Sequence, residues 1–368
     1  MKNIYGLTRK KLEDELISVG EKPFRATQIF EWLYKKQAVS FLDMSNISSS
    51  SKEKLASIYE IKLLEVVKTQ TSFDKTKKYL FKLEDGETIE AVLMHHDYGE
   101  SVCVSSQVGC KMGCAFCASG KFGHVRNLLV NEMVAQVLYI AKDLLEEQRR
   151  LSHIVIMGIG EPFENYDNVL DFIRIVNDPK GLEIGSRHIT VSTCGIVPRI
   201  YDFCNFELQV NLAVSLHFPN NELRSKYMPI NKAYKIEEVI KALKYYFDKT
   251  SRRVTFEYIL LDGINDTQTC ADELIALAKE LTCYINLIPL NQTDGRFKRS
   301  SEKNAKAFQD RLLKAGVNAT LRKEHGSDID AACGQLRIKE GHFDDWRLNC
   351  KSDKRWICCF KWRPRIFV

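Results

Sequence analysis

The spacing of apolar residues changes character along the chain, and each change marks a different kind of structure. In residues 7–59 they recur at helical intervals: Leu12, Leu16, Ile17 and Val19 precede Gly20, and Phe24, Ile29, Phe30, Leu33 and Tyr34 follow Pro23. This stretch predicts a small helical bundle. The serines at 48–51 are expected to cap a helix beginning near Lys52. From 61 to 104 the period falls to two (Tyr79, Phe81, Leu83, then Ile89, Ala91, Leu93), with turn signals at Asp85-Gly86 and Tyr98-Gly99. Short strands and hairpins follow from that pattern.

Beyond residue 102 strand and helix signals alternate. Strands are expected at 102–106, 153–157, 187–193, 209–215, 253–260, 284–289 and 317–322, with helices at 130–148, 235–247, 268–281 and 301–315. Such alternation calls for βαβ units and a parallel sheet. Reactive groups in such a sheet sit on loops at the C-terminal ends of strands, so chemistry is sought just after each strand. Residues 338–368 break the style, holding Trp346, Trp356, Trp362, Cys350, Cys358 and Cys359 and eight basic against four acidic residues. No periodicity supports a fold there, and a tail without a role is expected in preference to an RNA-binding tail or a second metal site.

Composition narrows the possibilities. With 368 residues, 45% hydrophobic and 28% charged, the chain can bury a large core, which excludes wholesale disorder. No apolar run reaches the roughly 18 residues of a membrane helix. Lys2, Arg9, Lys10, Lys11, Glu13, Asp14 and Glu15 interrupt any signal-peptide core, so a cytoplasmic address and no membrane partner are expected. A net charge of +6 permits an RNA partner without demanding one. Twelve cysteines in a long chain without an export signal point to metal ligation or chemistry in preference to disulfides.

Three of them form Cys110-Lys-Met-Gly-Cys114-Ala-Phe-Cys117. A structural zinc site takes four protein ligands, whereas an iron–sulfur cluster held by three thiolates leaves one iron open to a chelating molecule. Zinc completed by Cys103 or a histidine stays an alternative, and with it a non-catalytic zinc- and RNA-binding protein. A second element, Met157-Gly-Ile-Gly160-Glu161-Pro, follows the strand expected at 153–157.

Together these motifs resemble the radical S-adenosylmethionine (SAM) enzymes. The resemblance implies a [4Fe–4S] cluster on Cys110, Cys114 and Cys117, with Gly160 and Glu161 at the SAM amino group. Cys103 in Cys103-Val-Ser-Ser-Gln-Val-Gly and Cys333 in Gly326-Ser-Asp-Ile-Asp-Ala-Ala-Cys333-Gly narrow the likeness to the RlmN/Cfr family of RNA methyltransferases. Singly, each would read as an inert buried thiol. The implied fold is α/β, a partial (β/α)6 barrel spanning 96–337. A helical RNA-binding accessory domain (1–60) and a β extension (61–95) precede it, and the tail (338–368) follows.

What the family does explains the residue set. Carbon 2 of adenine lies between two ring nitrogens and is too electron-poor to attack a SAM methyl directly. The resemblance implies that Cys333 first takes a methyl from one SAM. A second SAM is then cleaved to a radical that activates this methyl, so two are used per turnover. Glu90 matches the proton acceptor, and Cys103 the thiol that frees the product through a transient disulfide with Cys333. The alternation Ile89-Glu90-Ala91 equally suits the solvent side of an ordinary strand.

Further SAM contacts implied are Ser192, Ser215, Leu216, His217 and Asn291; Cys194 stands where this family commonly has a small residue such as serine. Implied substrates are 23S rRNA at the peptidyl-transferase centre and the tRNA adenosine 3′ of the anticodon. Flavodoxin or ferredoxin would donate electrons to a monomer. The alternative within the family is methylation at C8. Lys75, Lys77, Lys78, Arg252, Arg253, Arg296, Lys298 and Arg299 are candidate phosphate contacts.

Overall fold

A computed structural model describes residues 1–121, 123–291, 295–329 and 331. Cys333 and the tail at 338–368 lie outside the described residues. The N-terminal segment holds β1 (Lys2–Asn3) and three short helices, α1 (Arg9–Ser18), α2 (Phe24–Phe30) and α3 (Ser49–Ile58). Thr8 caps α1 by accepting from Lys11 N, and Ser48 caps α3 by accepting from Ser51 N. The serine run is therefore the cap, and its helix starts at Ser49, three residues earlier than expected. Leu12, Leu16, Ile29, Phe30, Leu33 and Tyr34 are buried. Ile17 and Phe24 are exposed, against the stripe drawn from spacing; Phe24 instead lies under the Arg25 guanidinium. A seven-residue helix has room for only one buried face.

After β2 (Tyr59–Glu60) come β3 (Glu65–Thr71), β4 (Lys77–Lys82), β5 (Thr88–His96) and β6 (Gly99–Cys103), paired antiparallel in that order. The hairpin β7 (Gln107–Gly109) and β8 (His124–Asn127) stands apart, and α4 (Val130–Glu146) follows it. Strand–helix alternation then runs through β9 (Leu151–Ile156), α5 (Tyr166–Asn177), β10 (Ile189–Thr193), α6 (Val197–Phe203) and β11 (Asn211–Ser215). It continues with α7 (Asn221–Tyr227), α8 (Ile236–Thr250), β12 (Val254–Leu260), α9 (Gln268–Lys279), β13 (Cys283–Pro289), α10 (Glu302–Lys314) and β14 (Ala319–Leu321).

One ten-stranded sheet joins the two parts, in the order β14-β13-β12-β11-β10-β9-β6-β5-β4-β3. From β6 to β14 all neighbours are parallel. Among the described residues its hydrogen bonding ends at β14 and β3, an α/β architecture with a partial barrel, as expected. The β extension is the same sheet continued antiparallel.

Along each strand alternate residues pack outward against the helices. Val102, Ile154, Ile156, Val191, Leu212, Val214, Phe256, Tyr258, Ile285 and Leu287 belong to the main hydrophobic cluster, with Val137, Ile140, Phe172, Val239, Leu243 and Leu274 from the helices. The other residues of each strand face inward, which leaves the polar and reactive side chains of the sheet on one concave surface.

Candidate active site

Register fixes what that surface displays. Lys78 on β4 stands opposite Val92 on β5, which stands opposite Cys103 on β6. Glu90 lies two residues before Val92 and shares its face. It is 4% exposed, so the solvent-side reading of this strand does not hold. The Lys78 ammonium lies 3.2 Å from Glu90 Oε1. A cavity over the same face is lined by Val92, Met94, Cys103, Met157, Asn291 and Ala331, together with Arg322 and His325. Ala331 packs in one small apolar cluster with Cys103, Val92, Met94 and Ile159.

The cysteine loop does not leave β6 directly. That strand ends at Cys103, and residues 104–106 lead into the β7–β8 hairpin, which carries Cys110, Cys114 and Cys117 between its strands. Cys110 N donates to Gly123 O (2.8 Å) and Ala115 N to Tyr227 O (2.9 Å), so the loop is pinned at its base and on α7. Gly113 turns it with φ +64°, a conformation that favours glycine. Burial pushes the Cys110 thiol up to about 12, and burial with the neighbouring thiols also raises Cys114.

Thiols so raised are poor ligands until a cation offsets their charge, which is the condition an iron–sulfur cluster meets. Among the described residues no three His, Cys, Asp or Glu side chains gather closely enough for a single metal ion. Cys110, Cys114 and Cys117 share one loop, and three thiolates are the ligand set of an iron–sulfur cluster with one open iron.

Residues 158–161 press directly against the start of that hairpin. Gly158 N donates to Val104 O (3.0 Å), and Ser106 N and Gln107 N both donate to Ile159 O. A Cβ at Gly158 would fall 2.7 Å from Val104 O, and one at Gly160 (φ +112°) 2.6 Å from Gln107 Cβ. Both glycines are therefore required by contact. Ser105 Oγ accepts from Ile159 N (3.0 Å) and donates to Glu90 O (2.6 Å). Glu161 is 4% exposed; its Oε1 accepts from Phe163 N (3.0 Å) and its Oε2 from Cys194 N (2.8 Å). Burial raises its carboxyl, opposed by hydrogen bonds from Cys194, Thr193 and Phe163.

Ser192 and Ser215 face inward from adjacent strands with Oγ atoms 3.5 Å apart. The chain then switches back through Leu216 and His217, whose φ is +58°. His217 Nδ1 accepts from Ile259 N (3.1 Å), and burial lowers this imidazole to about 3, so it stays neutral. Asn291, buried at the end of β13, reaches the cavity. Of the expected residues, Cys103 and Asn291 line the cavity, Ser192 and Ser215 lie side by side, and Leu216 is packed in the main hydrophobic cluster.

Spacing did not signal several others. Arg224 is fully buried on α7, donating to Cys194 O (2.5 Å), Leu216 O (3.2 Å) and Asn231 Oδ1 (3.0 Å), and its charge opposes the rise at Cys114. Glu257 on β12, across from Ser215, accepts from Asn286 Nδ2 (3.0 Å). Of the candidate phosphate contacts, Lys77 pairs with Asp143 and Glu147, Arg252 bonds Asn211, Arg253 covers Tyr284, and Arg299 pairs with Glu324. Arg296 donates to Ala115 O in the cluster loop (3.4 Å), Lys78 is buried, and Lys75 and Lys298 are exposed.

Known proteins fit this arrangement. Residues 2–61 match the family described as the ribosomal RNA large subunit methyltransferase N-terminal domain, and residues 104–272 match the radical SAM superfamily. The chain is 54% identical over 339 residues to a probable dual-specificity RNA methyltransferase RlmN of Geobacillus kaustophilus, covering 92% of this chain and 93% of that one. It is 53% identical over the same length to the protein of that name from Bacillus velezensis. A crystal structure of a radical SAM methyltransferase from Sphaerobacter thermophilus superposes with a TM-score of 0.87 at 44% identity, covering 92% of this chain and 99% of that chain.

Proposed function

The chain belongs to the RlmN family of SAM-dependent radical RNA methyltransferases, and on that premise we propose that its target atom is C2 of adenosine. The substrates in this reading are 23S rRNA and the tRNA anticodon loop. Cys110, Cys114 and Cys117 would hold a [4Fe–4S] cluster, and residues 160–161, 192, 215–217 and 291 would seat SAM. Bound there, cluster and SAM supply a one-electron cleavage that generates a carbon-centred radical.

The chain's own residues do the remainder. Cys333 accepts a methyl group as a thiolate and carries it. Glu90 takes the proton lost from C2, and Cys103 attacks the Cys333 sulfur, so that an S–S bond forms as the S–C bond breaks, its electron pair and a proton going to the product carbon to complete the methyl group. The observation that carries this is the shared inner face of Glu90 and Cys103, with Ala331 packed against Cys103. Cys333 follows Ala331 by two residues, at most about 7 Å of chain. Val92, Met94, Ile159 and Ala331 give Cys103 an apolar surround.

A base confined to this cavity must be unstacked, which favours a loop over a duplex. We also propose a monomer that works in the cytoplasm, uses two SAM per turnover and receives electrons from a flavodoxin or ferredoxin; among the described residues no helix is long and apolar enough to cross a membrane. Mass spectrometry of nucleosides from rRNA and tRNA treated with the reconstituted enzyme tests the target. 2-Methyladenosine is expected; 8-methyladenosine would overturn the assignment. Cys103→Ala should keep a methylated Cys333 and accumulate a nuclease-sensitive protein–RNA adduct, which Cys333→Ala should not form.

A further inference from the structure

Lys78 lies inside the protein, although its sequence context, Lys75-Thr-Lys77-Lys78, reads as a solvated basic run. Its neighbour Lys77 turns to the other side of the sheet and pairs with Asp143 on α4 and with Glu147 at the C-cap of that helix. The Lys78 side chain is 10% exposed and that of Glu90 5%. Ammonium, carboxylate and thiol thus occupy neighbouring inward positions on β4, β5 and β6, beside Val92 and Met94.

Burying an ammonium costs several kcal/mol unless it is paired, and a buried ion pair is often no more stable than apolar residues of the same size. Stability alone therefore does not call for this pair. An ammonium at 3.2 Å favours the ionised form of a buried carboxylate, the form that can take up a proton.

We propose that Lys78 is a positioning residue for the reaction, holding Glu90 ionised and aimed so that it can take the proton from adenine C2. In that step the C2–H bond breaks, its electron pair stays on the ring, and the proton passes to the Glu90 carboxylate. The ammonium beside it then favours passing that proton on, which restores the accepting form. Ser105 steadies the same site from the backbone by its bond to Glu90 O. The inference rests on Glu90 being the proton acceptor.

The test uses the reconstituted holoenzyme with an RNA substrate and four variants: Lys78→Met, Lys78→Gln, Lys78→Arg and the double variant Lys78→Met/Glu90→Gln. Each is scored for methylation of Cys333, 5′-deoxyadenosine formation, covalent protein–RNA adduct and released methyladenosine. Lys78→Met and Lys78→Gln should keep the first two within about twofold, release product on the order of ten- to a hundredfold more slowly, and accumulate adduct. Lys78→Arg should recover most of the release, because it keeps the charge.

Normal release by Lys78→Met, or equal failure of Met and Arg, overturns the role of the lysine. So does loss of Cys333 methylation in step with release, since that marks a structural defect. The double variant removes the pair without orphaning a charge. If it releases product normally, the assignment of Glu90 falls; if it traps adduct while Lys78→Met does not, only the lysine assignment falls.

Discussion

Glu161 and Glu90 are both buried carboxylates, yet they are held by different chemistry. Both Glu161 oxygens accept backbone N–H groups from two loops, alongside a side-chain hydrogen bond from Thr193, whereas Glu90 faces the ammonium of a side chain. A side-chain partner can be removed together with the carboxylate; a backbone N–H cannot. Glu161 therefore ties residues 158–163 to residue 194, whereas Glu90 is joined to a side chain of the neighbouring strand.

The sharpest way to break this comparison is to remove each acid alone. Glu90→Gln removes the carboxylate from a buried ion pair with Lys78 and should cost about 3–5 kcal/mol in unfolding free energy. Glu161→Ala orphans two buried donors, at about 1–3 kcal/mol each. Adding Lys78→Met should return most of the stability lost in Glu90→Gln, read as the denaturant midpoint, while no second side-chain change should rescue Glu161→Ala. Gly160→Ala attacks the same loop through crowding against Gln107 and a left-handed φ, and an effect of about 1–3 kcal/mol is expected in the same measurement.

A subtler distinction lies in acid. His217 and His96, lowered by burial to about 3 and about 4, stay neutral in the fold while the unfolded imidazoles protonate near 6.5. The native state therefore loses stability as pH falls from 6.5 towards 4. Glu161 works in the opposite direction: its raised carboxyl binds a proton more tightly in the fold, so acidification returns part of what the histidines cost. Glu161→Gln removes that return, and the fall of the thermal midpoint between pH 7 and 5 should be steeper than in the parent chain. An unchanged slope would place Glu161 among groups whose protonation does not depend on folding.

How much of this was legible in the sequence depends on how local each signal is. The strands at 254–260 and 283–289 and the helices at 130–146 and 302–314 follow hydrophobic periods almost residue for residue, because alternate burial against helices creates the pattern. The cysteine spacing and the glycines at 158 and 160 were legible because contact distances dictate them. Lys78 was not, since a paired lysine inside and a solvated one outside look alike until strand register is known. Glu90 was ambiguous for the same reason: alternation says which residues share a face, not which face is concave. Arg224 sits in a short charged helix that reads as surface, and only the fold reveals the carbonyls around it.

Ser105 gives the cavity a mechanical property. One hydroxyl receives the N–H of Ile159 and passes its own proton to the carbonyl of Glu90, so the glycine loop and the acid-bearing strand share a single pin. A hydrogen bond has only a few tenths of an ångström of slack before it weakens. When a molecule entering at residues 160–161 shifts that loop, the displacement must either be absorbed at the pin or carried across to the strand holding Glu90. The position of residues 158–161 and that of the Glu90 backbone are thereby geared together through one hydroxyl.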